Sequence, residues 1–241
     1  MTTIFCAALA LSQATTANPN PAKIVSDMLM KYREAKTLVG HISLTVSDGA
    51  GKSTILTNIQ FAKPSKIYIK QSKVNDPKAR VVTSDGVHFS YDLPDNPDIY
   101  VVNQRLIERV KNLRGEVQSV SDIYAIATAG LYDRSAALDI IMSRKEDLEF
   151  LNYQWASIEY RGKAEINGQP AHVIGGNWRP YGTAPVIGQY EFCIGEKGDL
   201  LKYLQRETYK INGVTAVATF VYDVNVTIGA TPIEDLFKVV L

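Results

Sequence analysis

Several things are scarce in this sequence. It holds 2 cysteines and 2 tryptophans in 241 residues. Two cysteines cannot build the disulfide framework of a small secreted scaffold. Neither sign of charge is in excess, with 26 basic and 25 acidic residues and a net charge of +1. A nucleic-acid binder carries a basic surplus, and none is present. The apolar run at 4–11 is far short of the ~20 residues a membrane-spanning helix needs. The chain is nonetheless 46% hydrophobic and 21% charged, which excludes a disordered polymer. What is left is a chain able to bury a substantial core.

The first 17 residues carry no charged side chain, and the first basic residue is Lys23. The apolar run at 4–11, followed by the small residues Ala14, Thr15, Thr16 and Ala17, reads as the hydrophobic and cleavage regions of a secretory signal. Residues 1–17 are therefore expected to be a signal-like segment, and 18–241 one domain. Cleavage near Ala17 would leave Cys193 as the one remaining cysteine. It sits among alternating apolar residues and is expected to be a buried structural thiol.

A helix is predicted from Pro21 to about Ala35. Asn20 can cap it, Pro21 suits its first turn, and Val25, Met28, Leu29 and Tyr32 recur at helical spacing. After Lys36 the period changes to two. Strands are expected at 40–46, 55–61, 67–71, 80–84 and 87–93, the last with Val87, Phe89, Tyr91 and Leu93 on one face. Further strands are expected at 155–163, 169–175, 186–194, 200–210 and 214–226. Asn167-Gly168, Lys197-Gly198 and Asn212-Gly213 supply turns between them. The last strand alternates over about 43 Å at ~3.3 Å per residue, a length that calls for a twisted, coiled sheet. Between the two strand series, 104–114 reads as helix or strand. Two short helices follow, one containing Ile123, Tyr124, Ile126 and Ala127 and ending at Gly130, the other at 134–143. The stretch 123–131 is almost free of charge.

About ten antiparallel strands with one apolar face must close, pair with a second sheet, or be covered. Three helical pieces are the available cover. The expected fold is mainly β (α+β): a curved antiparallel incomplete barrel with helices over its concave face.

The chemical motifs are thin. Gly49-Ala50-Gly51-Lys52-Ser53 resembles the end of a phosphate loop, but the glycine required five residues before Gly51 is Val46, and both flanks alternate as strands. It reads as a hairpin turn. Asp92, Asp95, Asn96 and Asp98 lack the central glycine of a calcium loop. His41, His88 and His172 form no metal-ligand pair, so no metal or other cofactor is expected. No nucleophile elbow, catalytic Cys–His signature or dinucleotide fingerprint occurs. The chain is read as non-enzymatic, with a hidden catalytic constellation as a third possibility. Apolar and aromatic residues are abundant on the curved sheet and short helices, and they could line a cavity or simply pack as core.

Two segments carry a resemblance. Ile59-Gln60-Phe61-Ala62-Lys63-Pro64-Ser65-Lys66-Ile67-Tyr68, followed by Val82 through Asp85-Gly86 to Tyr91-Asp92, resembles the bacterial outer-membrane lipoprotein carrier superfamily (LolA/LolB-like), and more closely a periplasmic branch of it. The ending Thr231-Pro232-Ile233 to Phe237 is similar to the family's tail. The resemblance implies an incomplete barrel whose helical lid closes a hydrophobic cavity for an acyl chain. It implies a monomeric periplasmic carrier of a lipid or lipoprotein acyl chain, handing it to an outer-membrane acceptor. The alternative is an envelope sensor or interaction module that binds a membrane-bound regulator. Cavity-lining candidates are Phe61, Phe89, Tyr91, Tyr124, Ile126, Leu131, Leu138, Ile141, Phe192, Phe220 and Tyr222. Lys63 stands where the carriers place a lid-latching arginine. A lysine is a point donor without the planar fork, so a weaker or absent latch is expected.

Overall fold

A computed structural model describes residues 19–76, 78–92, 119–127, 131–132, 136–142, 154–180, 183–211 and 213–239. The expected signal segment at 1–17 and the ambiguous stretch at 104–114 lie outside these residues. So do the side chains of Asp92, Asp95, Asn96 and Asp98.

Helix α1 spans Pro21–Glu34. The Asn20 side chain accepts from Lys23 N at 3.2 Å, and Pro21 opens the first turn, as the capping pattern predicted. Its buried stripe is Val25, Met28, Leu29 and Tyr32. Ten strands follow in one sheet: β1 (Thr37–Asp48), β2 (Gly51–Ala62), β3 (Lys66–Lys73), β4 (Ala79–Asp85), β5 (Phe89–Asp92), β6 (Glu159–Ile166), β7 (Gln169–Trp178), β8 (Gly188–Gly195), β9 (Leu200–Ile211) and β10 (Val214–Ile228). Among the described residues, two short helices, α2 (Val120–Ala127) and α3 (Ala136–Met142), come between β5 and β6.

The strand order is β5-β4-β3-β2-β1-β10-β9-β8-β7-β6, and every pairing is antiparallel. The first and last long strands, β1 and β10, meet in the middle, Leu44 opposite Tyr222. The two hairpin series thus form one open, curved sheet. Pleating sends every second side chain to one face. On that face Leu38, Ile42, Ile59, Phe61, Ile67, Ile69 and Val82 come from one half, and Ile174, Phe192, Tyr203 and Tyr222 from the other. Helices α1, α2 and α3 cover this face and share its single apolar cluster. The 3-10 turn at Glu234–Phe237 crosses the opposite face, where buried Gln60 bonds both backbone groups of Ile233 at 2.9 and 3.0 Å.

The 49–51 turn is a hairpin between β1 and β2, with Asp48 Oδ1 accepting from Ala50 N and Gly51 N. Two expectations need correction. Val87 does not share a face with Phe89. The Asp85 carboxylate accepts from Val87 N at 2.7 Å and His88 N at 2.6 Å, and this holds a turn that leaves Val87 58% exposed. Trp155 does not belong to a strand that runs on to Lys163. It makes an isolated bridge with Trp178, and β6 begins at Glu159. Gly176 permits this crossing, because a Cβ there would lie 2.0 Å from Ser157 O. Ser157 O accepts from the Tyr190 hydroxyl at 2.7 Å, and Asn177 N donates to Ser157 Oγ at 3.0 Å.

Candidate functional site: the covered concave face

The sheet's inner face carries a row of rings on successive strands. Phe192 on β8 stacks on Tyr203 of β9, with centroids 4.9 Å apart, and Tyr203 lies 5.6 Å from Tyr222 of β10. Trp155 stands edge-on to Phe192 at 5.0 Å and closes the row at one end. Offset and edge-to-face pairs of this kind add to the apolar burial itself. The Tyr203 hydroxyl is buried and donates to Gln205 Oε1 at 2.8 Å, and Gln205 Nε2 donates in turn to Glu207. Burial drives the Tyr203 phenol well up, so it stays neutral. Burial likewise raises Glu207 against the opposing Gln205 hydrogen bond.

The cover is apolar. Helix α3 buries Ala137, Leu138, Ile140, Ile141 and Met142, and α2 buries Ile123 and Tyr124. The Tyr124 hydroxyl donates to Asp139 Oδ1 at 2.9 Å and ties the two helices together. Contacts from β3 and β4 pin the cover to the sheet. Arg80 Nη1 on β4 donates to Leu131 O at 3.2 Å, and the Tyr132 N–H donates to buried Gln71 Oε1 on β3 at 2.8 Å. The Arg80 guanidinium also stacks 4.0 Å from the Tyr132 ring centroid. Gln71 Nε2 is held by Thr57 Oγ1 at 3.2 Å.

Of the candidates read from sequence, Phe61, Phe89, Tyr124, Leu131, Leu138, Ile141, Phe192 and Tyr222 come together in the apolar cluster, and Phe220 packs against it half-buried. In the described residues these side chains pack on one another. Tyr91 lies on β5 opposite Val82, and Ile126 in α2; their side chains lie outside the described residues. Lys63 is exposed beyond β2, and its ammonium donates to Arg33 O at the end of α1. Burial, and then the Arg33 charge, lower its pKa despite nearby Glu34. Among the described residues its bond therefore goes to α1, while Arg80 and Gln71 hold the central cover.

Sequence reasoning passed over Arg80 and Gln71. The signal was there, since both are polar residues at inward positions of the strand alternation, opposite each other in the β3–β4 pairing. Buried polar groups need partners, so such positions point to something docked on the sheet.

Helix α1 is fastened separately. Lys31 Nζ reaches Asp199 Oδ1 at 2.6 Å and Lys197 O at 2.9 Å, and the Tyr32 hydroxyl accepts from Leu200 N at 3.0 Å. On its other flank a cleft of about 400 Å³ separates α1 from Trp155 and Ile158.

Cys193 is buried, and desolvation pushes its thiol up to about 11, which suits an inert structural role. His88 Nδ1 lies 3.1 Å from Asp85 Oδ2, and His172 Nδ1 lies 3.2 Å from the Tyr160 hydroxyl. Among the described residues no three His, Cys, Asp or Glu side chains gather where they could hold a metal ion. No described helix is long and apolar enough to cross a membrane.

No family model and no curated protein matches the chain. Similar solved structures include the MucA/MucB complex of Pseudomonas aeruginosa, at 16% identity and TM-score 0.44, covering 92% of this chain and 61% of that one. The lipoprotein LppX of Mycobacterium tuberculosis is similar at 11% identity and TM-score 0.42, covering 85% and 95%. A LolA superfamily protein from Nitrosomonas europaea is similar at 8% identity and TM-score 0.33, covering 89% and 97%. The chain spans about three fifths of the length of the MucB structures it matches.

Proposed function

We propose that the protein is a non-catalytic carrier that binds a lipid or lipoprotein acyl chain against the concave face of its sheet. One observation carries this reading. A nearly uncharged helical cover lies on an apolar sheet face and is pinned to it by discrete polar contacts, Arg80 to Leu131 O and Gln71 to Tyr132 N. Apolar packing is non-directional and tolerates a substitute, so a chain of methylenes can replace the cover's own side chains. The hydrogen bonds are directional and set the closed position. A tetradecyl chain buried there would gain on the order of 10 kcal/mol at ~0.8 per methylene, before ordering costs. A ligand that binds the open form shifts the population toward it by its difference in affinity for the two states.

In this reading Phe61, Phe89, Tyr91, Phe192, Phe220 and Tyr222 form the sheet wall. Tyr124, Ile126, Leu131, Leu138 and Ile141 form the movable side. The protein acts as a periplasmic monomer and passes its cargo to an outer-membrane acceptor. Native mass spectrometry of protein prepared without detergent tests it, with bound lipid as the expected result. Ile141→Asp places a carboxylate on the buried side of α3 and should abolish lipid retention while the sheet's circular dichroism persists. Retention undiminished by that charge would end the assignment.

The rival reading is an envelope module that binds a membrane-bound regulator. It is favoured by β6, an end strand of the sheet with every second residue exposed. Capture of a regulator by lipid-free protein would support it.

A further inference from the structure

The cleft beside α1 takes no part in the arrangement just described. Its walls are Val25, Leu29 and Met30 of α1 on one side and Trp155 and Ile158 on the other. Its volume of about 400 Å³ falls within the ~300–1,000 Å³ of small-ligand pockets. Trp155 forms part of the lining and is itself held by the Phe192 edge contact and by the bridge to Trp178.

Polarity in the cleft is uneven. Among the described residues, Ser26 and Arg33 are the polar residues that line it, and no acidic one does. Arg33 Nη2 donates to the Met30 thioether at 2.9 Å, and sulfur is a weak acceptor. Among the described residues Arg33 belongs to no ion pair. Asp27 faces the other flank of α1, where it pairs with Lys23 at 2.7 Å. Lys63 adds a second cation at the same end of the helix by donating to Arg33 O, against one nearby acid, Glu34. The C-terminal carbonyls of α1 would repel an anion, but Lys63 already bonds that of Arg33, and the Ala35 N–H those of Lys31 and Tyr32. The cleft thus offers an apolar trough with a cation at one end.

We propose that this cleft seats a single-chain anionic amphiphile, a fatty acid, with its alkyl chain along Val25, Leu29, Trp155 and Ile158 and its carboxylate on the Arg33 guanidinium. The inference rests on the lipid-binding reading above, but it places a ligand outside the helical cover and requires a charged head group. A planar guanidinium donates to both carboxylate oxygens at once, a fit an ester or alcohol head cannot reproduce.

The test uses tryptophan emission of the full protein and a dibrominated stearate, whose bromines quench an indole they touch. Saturable quenching by the acid is expected, with the methyl ester of the same chain binding more weakly. Arg33→Gln should weaken the acid about tenfold or more and leave the ester unchanged. Ser26→Phe fills the trough from an exposed position and should remove quenching by both probes, with circular dichroism unaltered. Quenching by the acid that neither variant changes would place the chain elsewhere and overturn this inference, while the carrier reading would stand. An equal loss of acid and ester in Arg33→Gln would make Arg33 a packing residue and also overturn it. Absence of quenching by the acid would overturn this inference, while the carrier reading would stand or fall on lipid detected by native mass spectrometry.

Discussion

Arg80 on β4 donates to the carbonyl of Leu131, 3.2 Å away across the apolar face, and spreads its guanidinium over the Tyr132 ring. One side chain therefore joins sheet to cover by a hydrogen bond and a cation–π contact. Arg80→Gln should loosen the cover without unfolding the sheet. A charge-assisted hydrogen bond contributes roughly 1.5–3 kcal/mol, and the loss should appear locally. Faster amide exchange in α2 and α3, with exchange in β1 and β10 unchanged, is the expected pattern. Unaltered protection of the two helices would mean that the latch lies elsewhere.

Phe192 is fully buried and touches Trp155, Tyr190 and Tyr203. Phe192→Ala opens a cavity at the centre of the ring row. The expected cost is about 3–5 kcal/mol, and the thermal midpoint should fall on the order of 10 °C. A calorimetric scan measures it, and a drop of a degree or two would show that the row repacks.

The two polar fastenings of α1 should differ in strength. Lys31 and Asp199 are each about one third exposed (32% and 31%), so Asp199→Asn should cost less than about 1 kcal/mol. The Tyr32 hydroxyl is buried and satisfies Leu200 N. Tyr32→Phe strands that N–H and should cost about 1–3 kcal/mol. Urea titration of both variants gives the order, and a larger loss in Asp199→Asn would reverse this account.

Glu207 and Asp85 should respond to pH in opposite senses. Burial raises Glu207, so its charged form is disfavoured in the fold. That penalty is absent below the unfolded carboxyl pKa of about 4.3 and grows as pH rises toward the folded value. Glu207→Gln should therefore stabilise at pH 7 and lose this advantage near pH 4. Burial pushes Asp85 upward too, but hydrogen bonds from the backbones of His88 and Val87 and from the His88 ring outweigh it, and its pKa is lowered. Its contribution is present above the unfolded value of about 3.9 and fades as pH falls through the folded one. Asp85→Asn should thus destabilise at pH 7 and become neutral in acid. Melting curves of both variants across pH 3–8 would show slopes of opposite sign, and parallel slopes would refute the assignment.

Much of the fold was legible because it follows local rules. Alternation from Val214 onward marks a long strand, and β10 runs to Ile228, two residues past the prediction. Asn20 and Pro21 announce α1, and Gly168, Gly198 and Gly213 adopt the positive φ that the hairpin turns require. Pleat, cap and turn are decided within a few residues of the chain, so composition at those positions is enough.

Tertiary structure alone decided the pairings that give the concave face its character. Gln71 meets Tyr132 and Arg80 meets Leu131 across separations of 61 and 51 residues, and Lys31 meets Asp199 across 168. Trp155 bridges to Trp178, and Ser157 after it passes over Gly176, which is distant in sequence and offers no Cβ to block the approach. A strand pattern specifies which side chains turn inward. Which of them meet depends on how the two halves of the sheet join at β1 and β10, a long-range choice set by packing of the whole apolar face.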